Sequence, residues 1–133
     1  MRKFLILILS FLFSCEANNC KDIGGVWAIK EIKVNNKDFK RYLDVNTFGF
    51  NCESNSGWFQ GSYFFERDSN IKWFLIKGKN DEIDSIRIES KIKIYNDIFK
   101  INLSQDKDTG QNKIELKSKK VYVSAYKIIE SYK

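Results

Sequence analysis

The sequence predicts an all-β fold, an antiparallel up-and-down meander of about eight strands that closes into a barrel or curls strongly. The 133 residues include no proline and only 7 glycines, and β-branched and aromatic residues are spread evenly through the chain. From Ile86 to Tyr95, isoleucines alternate with mostly charged residues, which is the period of a strand with one wet face. Long amphipathic helical patterns are absent, so strands are expected to dominate.

Short polar turns separate the predicted strands. The residues at 35–38, 53–57 and 68–70 are typical of turns, and Asn96-Asp97 fits a tight hairpin because both residues tolerate a positive φ. A turn or two of helix is expected at 38–43, with Asp38 as its N-cap. The eight predicted strands lie at 26–34, 45–52, 58–67, 71–78, 86–95, 99–103, 113–117 and 121–129.

Two of these strands are apolar on both faces. Aromatic and aliphatic residues occupy both parities in 58–65 and in 73–76. One face can meet the barrel interior, and the other needs a cover. Either adjacent loops and the residues between Cys15 and Asp22 provide that cover, or the strands form an exposed apolar patch for docking.

The N-terminus has the layout of an export signal. Arg2 and Lys3 precede an apolar run at residues 4–13, and Ser14 stands directly before Cys15. The run of ten apolar residues is short of the ~20 that a membrane-spanning helix needs. We therefore expect this segment to be cleaved rather than to span a membrane.

The segment Leu12-Phe13-Ser14-Cys15 resembles the lipobox of bacterial lipoprotein signals, with Phe13 bulkier than is usual at its position. The resemblance implies that residues 1–14 are a signal peptide and that Cys15 becomes the diacylated, palmitate-bearing first residue of the mature chain. Residues 15–22 would then be a spacer before one domain at 23–133. It also implies a cell-envelope protein held by this lipid to the outer membrane. The alternative is a plain secretory signal with Cys15 as an ordinary thiol.

The net charge of the chain is positive but small. Removing residues 1–14 lowers the count of Lys and Arg from 23 to 21, against 17 Asp and Glu. Both signs are interleaved along the chain, whereas nucleic-acid binding requires cations concentrated on one face. No nucleic-acid partner is therefore expected, and the cations fit a solvated surface or attraction to an anionic membrane or cell-wall polymer.

The three cysteines are expected to have different roles. If Cys15 takes the lipid, Cys20 and Cys52 remain as an even pair in an oxidising compartment, where thiols tend to be bridged. A redox-active pair would favour a Cys-x-x-Cys spacing, which these residues lack. We therefore predict a structural disulfide between Cys20 and Cys52.

The motif Gly25-Val26-Trp27 resembles the Gly-x-Trp signature of lipocalin-like domains. The resemblance implies an eight-stranded up-and-down barrel in which Trp27 packs across one end. Lipocalins cover that tryptophan with an arginine of the last strand, whereas here Lys127 is the residue available for the role. The chain is shorter than a full lipocalin, so a shallower barrel with a small cavity or none competes with a ligand-holding calyx.

The sequence excludes several kinds of chemistry. It contains no histidine, which rules out catalysis by Ser-His-Asp and Cys-His systems and metal sites that use histidine. The segment from Asp106 to Gly110 departs from a calcium loop because its glycine comes one place early and Lys117 stands where a glutamate is needed. We therefore predict no enzyme, no metal and no cofactor.

Two functions compete. The first is a non-catalytic envelope lipoprotein whose lipocalin-like barrel binds a small apolar or amphipathic ligand, with Trp58, Tyr63, Phe65 and Trp73 as candidate contacts. The alternative is a protein-binding inhibitor or immunity lipoprotein of the periplasm. A pocket of a few hundred Å³ favours the first. An exposed patch around 39–42 or 55–59 without a deep pocket favours the second.

Overall fold

The strands form a closed antiparallel barrel, with side chains that alternate between its interior and its outer surface. The computed structural model describes the backbone of residues 17–130 and the side chains of residues 20–130. The predicted signal peptide at 1–14 and the lipidation site Cys15 lie outside the described residues. A short helix, α1 (Ala17–Ile23), precedes the strands, and 3₁₀ turns lie at Lys40–Tyr42 and Lys93–Tyr95. The strands are β1 (Gly25–Val34), β2 (Lys37–Asp38), β3 (Thr47–Asn51), β4 (Ser56–Phe59), β5 (Asp68–Lys77), β6 (Ile83–Glu89), β7 (Asp97–Gln105), β8 (Asn112–Lys117) and β9 (Val121–Ile129).

The strand order confirms the predicted all-β, up-and-down architecture. From β3 to β9 each strand pairs antiparallel with the next, β1 pairs with β3, and β9 returns to pair with β1. This closure of eight strands leaves the barrel without a free edge. The remaining strand, β2, pairs only with the end of β1, through a turn in which Asn35 and Asn36 have φ values of 52° and 65°. Positive φ at both central residues is the requirement of a tight hairpin turn.

The barrel has two distinct ends. The helix end carries α1, the hairpin loops 52–55, 78–82 and 106–111, and Glu130 after the last strand. The loop end carries the segment 35–46, which includes β2, and the connections 60–67, 90–96 and 118–120. The segments outside the strands therefore form two groups, one at each end of the barrel axis.

Side chains pack the interior of the barrel. Aromatic rings lie against one another across it, with ring centres 5.5 Å apart for Phe48 and Phe50 and 5.4 Å apart for Phe50 and Trp73. The largest fully buried side chains are Trp27, Trp73, Phe48, Phe50, Phe99, Ile23, Ile32, Ile71, Ile86, Ile88, Ile114 and Leu116. Burying each such side chain contributes roughly 1.5–3 kcal/mol to folding.

The strand predicted at 58–67 is wrong beyond Phe59, where β4 ends. A Cβ atom on Gly61 would lie 2.8 Å from the backbone nitrogen of Arg67, so the chain doubles back where only glycine fits. The Ser62 N–H donates to the Phe65 carbonyl at 2.8 Å and completes the turn. Residues 60–67 therefore form a loop that exposes two aromatic side chains instead of covering them. Tyr63 is 86% exposed and Phe64 is 65% exposed.

The strand predicted at 86–95 also ends early, at Glu89. The Asp68 carboxylate accepts hydrogen bonds from the Ser90 hydroxyl and the Lys91 N–H, both at 2.8 Å. These side-chain contacts replace the backbone ladder beyond Glu89. The turn expected at Asn96-Asp97 consequently lies earlier in the chain, and the residues expected to turn at 68–70 belong to β5.

Between residues 17 and 130, helical structure is confined to short segments. In place of a helix at 38–43 there is the 3₁₀ turn Lys40–Tyr42, whose N-cap position is Phe39 rather than Asp38. Asp38 lies one residue earlier, and its carboxylate accepts the Lys40 N–H at 3.1 Å. The region expected to be a spacer at 15–22 overlaps α1, so part of it is folded onto the helix end of the barrel.

Candidate functional site

The helix end is organised around Trp27. Gly25 has a φ of 118°, and a Cβ atom there would collide with the Ile129 carbonyl oxygen, so β1 and β9 approach closely at this point. The Trp27 side chain is fully buried, and its indole N–H donates to the Ile23 carbonyl at 2.8 Å. The Lys127 ammonium group lies 5.0 Å from the centre of the Trp27 ring. Trp27 thus joins α1, β1 and β9 at the barrel end.

A disulfide between Cys20 and Cys52 confirms the predicted pairing. Cys20 belongs to α1, and Cys52 begins the loop that connects β3 to β4. The two Cα atoms are 5.6 Å apart, within the range of unstrained bridges. The bond holds α1 across the helix end, and the Gly24 N–H donates to the Cys20 carbonyl at 2.8 Å to end the helix there.

The four predicted ligand contacts do not converge on one cavity. Trp73 is 2% exposed in the core, and its indole N–H donates to the Ser56 carbonyl at 2.8 Å. Trp58 neighbours the inward-facing Phe59, so its side chain lies on the outer face of β4, where the Arg67 guanidinium sits 5.4 Å from its ring centre. Tyr63 extends into solvent. Of the four, Phe65 is the one that lines a groove, at the loop end.

A chain of aromatic rings connects the core to this loop end. The ring centres of Phe59 and Tyr95 are 4.2 Å apart, and those of Tyr95 and Phe65 are 6.0 Å apart. Burial raises the pKa of the Tyr95 phenol, so it is neutral at physiological pH. From Phe65 the contacts continue to Phe39 at 6.0 Å and from Phe39 to Phe64 at 6.2 Å.

A groove of about 430 Å³ lies beside Phe65, between the connections 60–67 and 90–96. Its apolar residues are Phe65, Ile92 and Ile94, of which Ile92 is buried in the core and the other two are half-buried. The charged residues on its walls are Glu66, Arg67, Asp68, Lys91 and Lys93. The groove therefore combines apolar contacts with cations that reach solvent.

Asp68 fixes the geometry of this groove. Partial burial acts to raise the pKa of its carboxyl group, but hydrogen bonds from the Lys91 N–H, the Ser90 hydroxyl and the Asn70 N–H together outweigh burial and lower that pKa. The carboxylate is charged at neutral pH and accepts hydrogen bonds from the Ser90 hydroxyl and the Lys91 N–H. It therefore holds one wall of the groove in place.

Two further hollows lie on the described surface. One of about 490 Å³ adjoins the groove, is more open, and is lined by polar side chains that include Asn70, Glu89 and Asn96. The other, of about 240 Å³, lies at the helix end between Trp27, Leu103 and Gln105. The helix-end hollow also combines apolar side chains with a cation, Lys113, but at about 240 Å³ it is smaller than the groove beside Phe65.

No family model, curated protein or solved structure matches the chain. Within the described residues, no group of three or more His, Cys, Asp and Glu side chains is placed to hold a metal ion. The helices of the described part are also too short or too polar to cross a membrane.

Sequence reasoning missed the contribution of residues 91–94 to the groove. The alternation of lysine and isoleucine in Lys91-Ile92-Lys93-Ile94 continues the pattern of β6. It therefore predicted that the strand extends through these four residues. The available signal was the flanking Ser90 and Asn96, which favour turns because their side chains bond to nearby backbone. Both do so here, since the Ser90 hydroxyl accepts the Ile92 N–H and the Asn96 side-chain oxygen accepts the Ser90 N–H.

Proposed function

We propose that this protein is a non-catalytic envelope lipoprotein that binds a small amphipathic ligand at the loop end of its barrel. The groove beside Phe65 is the observation that carries this proposal, because it offers apolar side chains and cations within one volume of about 430 Å³. Ligand sites of small molecules are typically concave, of roughly 300–1,000 Å³, and mostly apolar with a few polar groups. The absence of histidine from the sequence supports a binding role over His-based catalysis.

The groove is a better ligand site than the interior of the barrel. Trp73, Phe48 and Phe50 are fully buried and pack against one another there, and a ligand would have to displace them. The residues of the groove are already at the surface. Ile94 and Phe65 would lose their remaining water on binding, which is favourable by roughly 25 cal/mol per Å² of apolar surface.

Binding of uncharged and charged probes tests the groove. Isothermal titration with dodecyl maltoside and dodecanoate, each below its micelle concentration, should give saturable binding at one site for at least one probe. The variants Phe65→Ser and Ile94→Ser should each weaken that binding tenfold or more. Ile98→Ser is the matched control, since Ile98 is an exposed isoleucine on the outside of β7. Absence of saturable binding, or equal loss in all three variants, would contradict the proposal.

The lipid anchor of the proposal depends on Cys15. α1 begins two residues later in the sequence and is bound to the helix end by the Cys20 to Cys52 disulfide. Acylation of Cys15 would therefore hold the helix end near the membrane and leave the groove at the far end of the barrel. Cys15→Ser should move the protein from the membrane to the soluble fraction and abolish palmitate labelling. Retention of the label, or a changed disulfide in that variant, would show the assignment to be wrong.

A partner protein is the second candidate, favoured by an aromatic patch in which the exposed Tyr63 and Phe64 lie beside the half-buried Phe39 and Tyr42. The ring centres of Tyr42 and Phe64 are 5.3 Å apart, and those of Tyr63 and Phe64 are 5.7 Å apart. Exposed aromatic clusters are enriched at interfaces, where their burial supplies much of the binding energy. A photo-crosslinking residue at position 63 should give a discrete product in cells, and the same residue at Ile98 should give none. Identical products from both positions would remove this candidate.

A further inference from the structure

The charges of the loops differ between the two ends of the barrel. The loop end is dominated by cations, because its connections carry few acids to oppose them. The cations there are Lys37, Lys40, Arg41, Arg67, Lys91, Lys93, Lys119 and Lys120, and the acids are Asp38, Asp44 and Glu66 in the connections and Asp68 and Asp97 at the starts of β5 and β7. The small positive charge of the whole chain therefore conceals a basic end.

The helix end has the opposite balance. Its cations in α1 and the three hairpin loops are Lys21, Lys79 and Lys107, and Lys127 of β9 reaches the same end. The acids of the same segments and of the residue after β9 are Asp22, Glu53, Asp81, Glu82, Asp106, Asp108 and Glu130. Such a separation produces a field along the barrel axis that attracts anions to the loop end and repels them from the helix end.

The cations of the groove lie within the basic end and form no salt bridge with the described residues. The ion pairs of the described residues join Lys33 to Glu31, Lys113 to Glu115 and Lys127 to Glu130, all of which are away from the groove. The nearest buried acid, Asp68, directs its carboxylate to the backbone of Lys91 and to the Ser90 hydroxyl. Lys91 and Lys93 are exposed and border the apolar side chains of Ile92 and Ile94.

We infer that the groove selects amphiphiles with an anionic headgroup, such as a carboxylate, sulfate or phosphate, an inference that rests on the proposed function. The apolar body of the ligand contacts Phe65, Ile92 and Ile94. The headgroup is bound at the rim by Arg67, Lys91 and Lys93, which donate charge-assisted hydrogen bonds. Because these cations are exposed, selection for the headgroup is sensitive to salt, whereas the apolar contacts are not.

Three amphiphiles with the same tail and different headgroups test this inference. Dodecanoate, dodecyl maltoside and dodecyltrimethylammonium are titrated below their micelle concentrations into the mature protein carrying Cys15→Ser. Dodecanoate should bind at least tenfold more tightly than the maltoside, and the cationic amphiphile should bind most weakly. The preference should shrink when the ionic strength rises from about 0.01 M to about 1 M, as the screening length falls from about 30 Å to about 3 Å.

A pair of double variants assigns the preference to the groove. Lys91→Gln with Lys93→Gln should bring the affinity for dodecanoate to within about threefold of that for the maltoside. Lys79→Gln with Lys107→Gln removes the same charge from the helix end and should retain the preference. Loss of the preference in both double variants would assign it to net charge and overturn the inference.

The outcomes separate the inference from the proposed function. Equal binding of the three amphiphiles would overturn the anionic preference and leave a groove that binds amphiphiles. No saturable binding of any of them would contradict both. Dodecanoate binding that survives Phe65→Ser and Ile94→Ser but not the Lys91 and Lys93 substitutions would show an anion site without an apolar groove, which contradicts the inference as stated.

Discussion

The Lys127 ammonium group lies 5.0 Å from the centre of the Trp27 ring and donates hydrogen bonds of 3.1 Å to the carbonyl oxygens of both Lys21 and Asp22. One side chain of the last strand thereby contacts the first strand and the helix before it. Only 7% of Lys127 is exposed, and a buried cation is tolerated when such partners surround it. Lys127 therefore covers Trp27 at the helix end of the barrel.

Replacement of Lys127 by methionine should destabilise the protein. The methionine side chain is of similar length but donates no hydrogen bonds, so both carbonyls lose a charged donor. We expect the free energy of unfolding to fall by about 1–3 kcal/mol in chemical denaturation. Lys100→Met, at an exposed position of β7, should change it by less than about 0.5 kcal/mol. Equal effects of the two substitutions would show that the contacts of Lys127 add nothing.

Removal of the disulfide should have a larger effect. Cys20 and Cys52 are 32 residues apart, and on the chain-entropy model closing a loop of that size stabilises the fold by about 3–4 kcal/mol. The double variant Cys20→Ala with Cys52→Ala should lower the free energy of unfolding by this amount in a background that carries Cys15→Ser. Dithiothreitol should have a similar effect on the parent protein and none on the variant. A parent protein whose stability is insensitive to the reductant would contradict the prediction.

Asp68 should make stability depend on pH. The pKa of its carboxyl group is lower in the folded protein than the roughly 3.9 of an unfolded aspartate. Its contribution to stability is therefore complete above the unfolded pKa and is lost as pH falls through the folded pKa. Asp68→Asn should lower the free energy of unfolding by about 1–3 kcal/mol at pH 7, and the difference from the parent should narrow below about pH 4.

The control for Asp68 is Asp108→Asn. Asp108 is exposed in the loop between β7 and β8, far from the groove. Its substitution should leave the free energy of unfolding at pH 7 within about 0.5 kcal/mol of the parent. A difference between parent and Asp68→Asn that stays constant from pH 7 to pH 3 would show that hydrogen bonding to the charged carboxylate is not the cause.

Two of the aromatic residues singled out by the sequence should respond very differently to alanine. Trp73 fills the core and donates a hydrogen bond to Ser56, so Trp73→Ala should cost about 3–5 kcal/mol of unfolding free energy. Tyr63 is 86% exposed, and Tyr63→Ala should change the same quantity by about 0.5 kcal/mol or less. Thermal or denaturant unfolding of the two variants measures both. Similar losses would contradict the burial assigned to these side chains.

The regular strands could be predicted because each has one wet face. In β8 the buried Ile114 and Leu116 alternate with Lys113, Glu115 and Lys117, which is visible in the sequence alone. The predictions failed at residues 60–67 and 90–96, where the chain leaves the sheet although apolar residues continue. Gly61 and Asp68 decide these departures through contacts with Arg67 and Lys91, and a local pattern contains no information on such pairings.

The candidate site was predictable only in part. Phe65 was identified because aromatic residues concentrate in its segment, and it lines the groove. The sequence also suggested Trp58 and Trp73, but their side chains lie on opposite faces of the barrel wall. The face that each side chain takes depends on the strand register and on where β4 ends. The basic end was hidden for a different reason, since cations from four separate connections meet only when the barrel is closed.

The pairing of β1 with β9 also determines when the barrel can close during synthesis of the chain. The strand synthesised last supplies the partner of the strand synthesised first, along Val26 to Val34. Until residues 121–129 are available, β1 and β8 each keep an unpaired edge. The chain between β1 and β9 must then close into a long loop, and its lost entropy is compensated only when the two strands pair. Chains shortened before Val121 should therefore associate through these edges and be degraded or aggregate, rather than form a smaller barrel.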